Sequence, residues 1–413
     1  MFGALRGFDI HGRVRRLENA VRAIRESEFI LPENRELILR FLEFLEAEGL
    51  SVARREAYAR RLKVIGEYFP KPFREACRED IVALMRKIEA RGVRTETVRF
   101  YKVVLRRFFK WLRGGDDYPP EVKWLRTGVG KENCILPEEL LTERDVERLL
   151  EAAGDAQTRA MVAVLWETGA RVGELLNMRI KSVMPRRRYA QVRLMGKTGE
   201  RAVPIIFSWP YLQQWLMIHP RRRDREAPLW LKRNGEPMDY PTLRARLERL
   251  RRRAGIEKKV NPHMFRHSRA SLLAQRLTEA QLSQLFGWTQ GSKMPQIYVH
   301  LSARDLEKPL LSIYGLESQE HRELQLRPVT CPRCGELNPR EAESCMRCGA
   351  ILKPEAALKA QDEYMELKKA IEELRREIMR LRSMAENRSP YEAYLDEPQV
   401  QHSIKFLRDR SWL

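Results

Sequence analysis

Two stretches of this 413-residue chain set arginines in contexts that a solvated surface residue lacks. In WETGARVGELLNM, Arg171 follows a glycine after an apolar helical run, and Glu174 lies three positions on, on the same helical face. A carboxylate so placed holds the guanidinium in one orientation, because the fork between the two groups is geometrically rigid. In NPHMFRHSRAS, His263 and Arg266 share a face at i, i+3. Two arginines on converging elements suit a phosphodiester. They clamp two non-bridging oxygens, and their charge counts most where negative charge develops in a transition state. Lys197, in the turn GKTG, can reach a leaving oxygen. Further on, LFGWTQGSKMPQIYVHLS carries Trp288 and Tyr298, and a tyrosine can attack phosphorus as a covalent nucleophile. Singly, each has an ordinary explanation: a solvated charge among 78 Lys and Arg, a core tyrosine, a structural histidine. Their occurrence together and in order weakens those explanations.

A second chemistry lies downstream. Cys331, Cys334, Cys345 and Cys348 form two C-x2-C knuckles in CPRCGELNPREAESCMRCG, each with a glycine after its second cysteine. Each knuckle lets two thiolates reach one tetrahedral zinc at about 2.3 Å, with the glycine relieving the turn. Four thiolates leave no open position, so the expected zinc is structural. The N-terminal stretch MFGALRGFDIHGRVRRL has no continuous apolar run, so export is not expected and a cytoplasmic location is. In that setting, four such cysteines read as metal ligands rather than disulfides.

The elements that must position these residues follow from periodicity. Val14–Phe29 carries apolar residues at helical spacing. ENRELILRFLEFLEAEG, ARREAYARRLKVIGEYF, REDIVALMRKIEARG and TETVRFYKVVLRRFFKWLRG repeat apolar residues at three- and four-residue steps, which predicts a small all-helical domain. Gly114 to Pro120 marks a break. Beyond it, Thr142 opens a helix, TRAMVAVLWETGAR forms a second, and strands near 190–194 and 202–206 form a hairpin. Helices return near 240–254, 266–275 and 279–286. After Pro354 comes a long helix in which Ala360, Tyr364, Leu367, Ile371, Leu374, Ile378 and Leu381 alternate four and three apart, a coiled-coil seam of about three heptads. The expected organisation is an N-terminal helical extension (1–31), a helical domain (32–115), a linker (116–135), a mixed domain (136–316), a ribbon with its leading linker (317–353), a helix (354–385) and a tail (386–413). The fold class is mainly α with a small β-sheet.

Composition narrows the partners. The chain has 78 Lys and Arg against 57 Asp and Glu, a net charge of +21. That surplus, spread along the chain, favours nucleic acid over acidic substrates or anionic membranes. Hydrophobic residues at 43% exclude a disordered chain, and no uncharged apolar stretch is long enough to span a membrane.

TGARVGELL, GKTGERAVPI, HMFRHSRA, LFGW and IYVHL, in that order, resemble the motifs of the tyrosine recombinase (phage-integrase-like) family over about Leu136–Tyr314. The helical block 32–113 is similar to that family's core-binding domain. The resemblance implies that Tyr298 attacks a backbone phosphate, forming a 3′-phosphotyrosyl bond without ATP. It implies that Arg171 and Arg266 hold the scissile phosphate and that Lys197 protonates the leaving 5′ oxygen. It gives His263 a part in proton transfer or phosphate binding and places Glu174 in support of Arg171. Trp288 stands where the family more often has histidine; its indole N–H can donate one hydrogen bond but cannot shuttle a proton. Implied partners are double-stranded DNA and further copies of the chain, a tetramer on DNA, with no cofactor needed for catalysis. The roles this leaves open are integrase, transposase and resolvase. A DNA-binding protein with a degenerate site and a type IB topoisomerase-like relaxase are the alternatives.

Overall fold

The computed structural model describes residues 9–128, 136–196, 199–274, 276–289, 291–292, 294–296, 298, 326–386 and 394–409. It divides into two compact units, 1–326 and 327–413. The fold is mainly helical with small antiparallel sheets. No helix among the described residues is long and apolar enough to cross a membrane.

The first unit holds two main hydrophobic cores. One is built by α1 (Arg13–Arg25), α2 (Pro32–Ala47), α3 (Val52–Tyr68), α4 (Arg78–Glu89), α5 (Thr95–Arg113) and the short α6 (Pro120–Lys123). Each turns its three- and four-spaced apolar residues inward, as Tyr101, Val104, Leu105, Phe108 and Phe109 of α5 do. Phe108 meets Phe41 and Phe73 edge to face, with ring centroids 5.2 and 5.1 Å apart. Gly66 lets α3 approach closely, since a Cβ there would stand 3.1 Å from both Ile30 and Ile38. The stretch expected as a linker begins inside this core: Val122 and Leu125 are buried in it. The N-terminal extension packs too, with Ala20 and Ile24 of α1 in the same core.

The second core surrounds α8 (Ala156–Thr168), which is apolar nearly all round and buried accordingly. Against it lie α7 (Glu143–Ala152), α10 (Trp209–Ile218) and α12 (Pro262–Leu273). Thr142 caps α7, its side chain accepting from the Asp145 N–H. The sheet has the order β1-β2-β3, from Val183–Pro185, Ala190–Gly196 and Gly199–Ile205. Ala190 pairs with Ile205 and Val192 with Val203, giving inward and outward alternation. Strand β1 was not foreseen; three residues are too few to show an alternation. Glu167, near the end of α8, accepts hydrogen bonds from the N–H groups of Ile206, Phe207 and Ser208 at 2.8–3.0 Å. It therefore ties the end of the sheet to the start of α10. α9 (Val172–Leu176), α11 (Tyr240–Arg253) and α13 (Glu279–Phe286) complete this part.

The second unit contains a two-stranded ribbon of β4 (Val329–Thr330) and β5 (Leu337–Asn338). A 33-residue helix, Pro354–Glu386, and a helix Pro398–Arg408 follow.

Candidate active site

The turn between α8 and α9 carries the first arginine. Gly169 ends α8 at φ 54°, a left-handed conformation that a glycine adopts without strain. Arg171 then caps α9, and Glu174 one turn on accepts from both its backbone N–H (2.8 Å) and its guanidinium (2.9 Å). Arg201 of β3 reaches the same carboxylate with both η nitrogens, at 2.6 and 2.8 Å. Gly196 leaves the room this needs, because a Cβ there would come within 2.6 Å of the Glu174 carboxylate. Burial pushes the Glu174 carboxyl up, but the hydrogen bonds and charge of Arg201 and Arg171 outweigh it and hold it below its ordinary value.

Arg266 projects from α12 into the same place and is 5% exposed. Its guanidinium donates to the carbonyls of Gly169 (3.0 Å) and Phe286 (2.6 Å). Arg171 donates to the Phe286 carbonyl as well, at 3.4 Å, so the two arginines share one backbone oxygen at the end of α13. Burial, then the charge of Arg171, brings Arg266 down to about 9, which leaves it cationic at neutral pH. Its guanidinium also lies over the Phe286 and Trp288 rings, at 5.0 and 5.6 Å. Three guanidinium groups thus gather about one buried carboxylate, an excess of two positive charges. Arg171 is the outward member, with about a third of its side chain exposed.

Tyr298 lies against this cluster. Its ring stacks on Trp288 at 5.4 Å and 7°, and Trp288 stacks in turn on Phe286 at 5.0 Å and 23°. The indole therefore works through its faces, as a plate that fixes the tyrosine ring, beside any donation its N–H is expected to offer. The Tyr298 hydroxyl is 2.5 Å from His267 Nδ1. Burial raises this phenol to about 12 against the opposing pull of Arg266. Burial, with the charges of His263 and Arg266, lowers His267 below its ordinary value, so the imidazole is neutral at neutral pH.

Of the residues expected at the site, Arg171, Glu174, Arg266, Trp288 and Tyr298 come together within one chain. His263 lies on the exposed side of α12, its ring 6.2 Å from that of His267. Lys197 falls outside the described residues. His267 and Arg201 were not foreseen. The signal for Arg201 is a charge at period two with Val203 and Ile205, on the inward face of a strand, where it needs a partner. For His267 it is the i, i+3, i+4 spacing of 263, 266 and 267.

Elsewhere in the first unit, α3 and α5 line a groove of about 650 Å³ with Arg54, Arg106, Arg107 and Lys110 beside Tyr58 and Trp111. Arg187 and Arg188 are exposed where β1 turns into β2, whereas Arg251 and Arg252 are paired with Glu248. In the second unit, the sulfurs of Cys331, Cys334, Cys345 and Cys348 all lie within 4.8 Å of one another. The pairs Cys331–Cys348 and Cys334–Cys345 are 3.6 Å apart, far beyond a disulfide bond and close to the ~3.8 Å edge of a tetrahedron with ~2.3 Å metal–sulfur bonds. Four such thiols can hold a metal ion.

A mainly helical domain with a tyrosine buried beside two arginines matches one class of enzymes, the tyrosine-type DNA strand transferases. The chain belongs to the phage integrase family of tyrosine recombinases. The catalytic model of that family matches residues 139–304 and its N-terminal SAM-like domain matches 38–114, together more than half of the chain. The chain is 26% identical over 302 residues to tyrosine recombinase XerA of Saccharolobus solfataricus, covering 70% of this chain and 96% of that one. Its fold is similar to that of XerH site-specific recombinase bound to palindromic difH substrate in a post-cleavage complex (TM-score 0.52, 19% identity, 74% of this chain and 96% of that one). It is also similar to a lambda integrase tetramer bound to a Holliday junction (TM-score 0.51, 18% identity, 63% and 76%).

Proposed function

We propose that this protein is a site-specific DNA recombinase that cuts and rejoins strands through Tyr298. The observation that carries the reading is the Tyr298 hydroxyl set against a neutral imidazole and beside a surplus of guanidinium charge, all from one chain. A phosphodiester entering over Arg171 and Arg266 supplies the negative charge that the cluster lacks. The Tyr298 oxygen forms a bond to phosphorus as its proton passes to His267 Nδ1. The phosphorus–5′ oxygen bond breaks, and the leaving oxygen takes a proton from Lys197, the acid that the family resemblance implies. The 3′-phosphotyrosyl link conserves the bond energy, so rejoining needs no nucleotide. Phosphoryl transfer depends mostly on positioning and charge stabilisation, which two arginines and a lysine supply. Glu174 and Arg201 act as positioning residues for Arg171, and Trp288 for Tyr298. His263 lies at the exposed edge of the site, where it can meet the phosphate.

The basic groove of α3 and α5 and the exposed Arg187 and Arg188 track the backbone of double-stranded DNA. Four copies act together on two duplexes; lambda integrase is a tetramer when bound to a Holliday junction. The cysteine cluster holds a structural zinc ion. The protein acts where the DNA is, in the cytoplasm.

The test is covalent trapping on a nicked suicide duplex carrying the target site, found by mapping cleavage positions on genomic DNA. The expected product is a protein–DNA adduct that Tyr298→Phe abolishes while the fold persists. An adduct retained by that variant, or none from the native chain on any mapped site, would overturn the reading.

A further inference from the structure

The helix Pro354–Glu386 presents to solvent an apolar stripe that nothing among the described residues covers. Tyr364, Leu367, Ile371, Leu374, Ile378 and Leu381 are between 44% and 65% exposed. A stripe of that kind on an otherwise charged helix is costly to leave in water and marks a contact surface. Its occupant can be read from the heptad. With Tyr364, Ile371 and Ile378 at a, and Ala360, Leu367, Leu374 and Leu381 at d, two of the three a layers are β-branched and every d residue after Ala360 is leucine. That division favours two parallel strands over three or four.

The flanking charges decide the orientation. The g positions are Glu363, Ala370 and Glu377, and the e positions are Lys368, Arg375 and Arg382. In a parallel pair each g residue faces the e residue five positions on in the other helix. Glu363 then meets Lys368 and Glu377 meets Arg382, twice each by symmetry. In an antiparallel pair e faces e and g faces g, so Lys368, Arg375 and Arg382 confront one another and the glutamates do likewise. We infer that this helix pairs with the same helix of a second copy, in parallel and in register, as a two-stranded coiled coil. The pairing joins two recombinase protomers through their C-terminal units before either meets DNA. It goes beyond the strand-transfer reading and does not depend on Tyr298. Its consequence for the reaction is an effective concentration of the second protomer set by the tether instead of by the bulk solution.

The experiment is sedimentation equilibrium of the full chain off DNA, at micromolar concentration and moderate salt. The expected mass is twice the 48.7 kDa of one chain. Ile371→Asp with Ile378→Asp should weaken self-association at least tenfold. So should Glu363→Lys with Glu377→Lys, a change to exposed positions that leaves the apolar stripe intact. Lys368→Glu with Arg382→Glu should do the same, and mixing the two charge-reversed chains should restore a dimer. Leu381→Cys should give an oxidised, crosslinked dimer above the background of the native cysteines, because parallel strands in register place the two thiols together. A monomeric native chain would overturn the inference and point to a different protein or to another segment as the occupant. A dimer indifferent to all three pairs of substitutions, or one in which Leu381→Cys fails to crosslink, would overturn it as well.

Discussion

At the scale of single residues, the proposed chemistry turns on the proton of Tyr298. Burial lifts this phenol to about 12, so the reactive oxygen is not delivered as a phenolate and needs a base. His267 is within reach, and its own pKa is depressed by burial and by the nearby charges of His263 and Arg266. Only neutral imidazole can accept the proton, and a lowered pKa means that more acid is needed to protonate it. Adduct formation should therefore stay level as pH falls to about 6.5, the ordinary histidine value, and decline only below it. His267→Ala should remove that acid limb and slow trapping by roughly 10²–10⁴, the usual worth of a positioned base. Quench-flow trapping across pH checks both, and a wild-type rate in His267→Ala would remove the histidine from the mechanism. Trp288 belongs to the same scale. Stacked between Phe286 and the Tyr298 ring, it orders the tyrosine.

At the scale of elements, the site is a junction of helix ends. The end of α8, the start of α9, the end of α13 and the inner face of α12 meet around two backbone carbonyls. Gly169 makes that junction possible. Its φ of 54° suits glycine, its carbonyl receives Arg266, and a Cβ there would stand 2.5 Å from the Phe286 ring. Gly169→Ala should cost about 1–2 kcal/mol for the left-handed backbone and about 1–3 kcal/mol more for overpacking. Because the clash displaces Phe286, whose carbonyl both arginines share, cleavage should fall by more than the loss of folded protein explains. Thermal unfolding compared with single-turnover trapping at a temperature where the variant remains folded separates the two; a variant that unfolds early but cleaves at the native rate would contradict this account. Much of this framework was legible beforehand. The helices of the first core and the β2–β3 hairpin follow from apolar periods of 3.6 and 2, which each element carries in its own residues. Arg171, Glu174, Arg266 and Tyr298 were legible because they sit in ordered motifs. The role of Arg201 was not, since it depends on a strand meeting α9 across 27 positions of sequence. The packing of Val122 and Leu125 escaped for a similar reason: a four-residue helix has too few turns to show a period, and only the tertiary contact reveals its side.

At the scale of the whole molecule, chemistry and attachment belong to different units. Every described residue of the candidate active site lies before residue 326, whereas the four cysteines and the exposed helix lie after it. The ribbon has two strands of two residues each and little buried apolar surface. Burial cannot hold so small a module, and on the proposed reading its order comes from the zinc that its four cysteines would bind. Structural zinc binding in such modules is worth roughly 10–16 kcal/mol, and that free energy is the folding free energy of the module. The native chain should therefore release one zinc ion to a strong chelator. Amide exchange in peptides from 327–353 should then rise to that of an unfolded segment, and replacing Cys345 with serine should have the same effect without chelation. The large core around α8 has no stake in the metal, so its exchange protection should be unchanged and covalent trapping on a nicked duplex should continue. Loss of trapping together with the zinc would make the ribbon part of the catalytic apparatus, and continued protection of 327–353 without metal would remove the zinc from the fold. Either result would dissolve the division of labour between the two units.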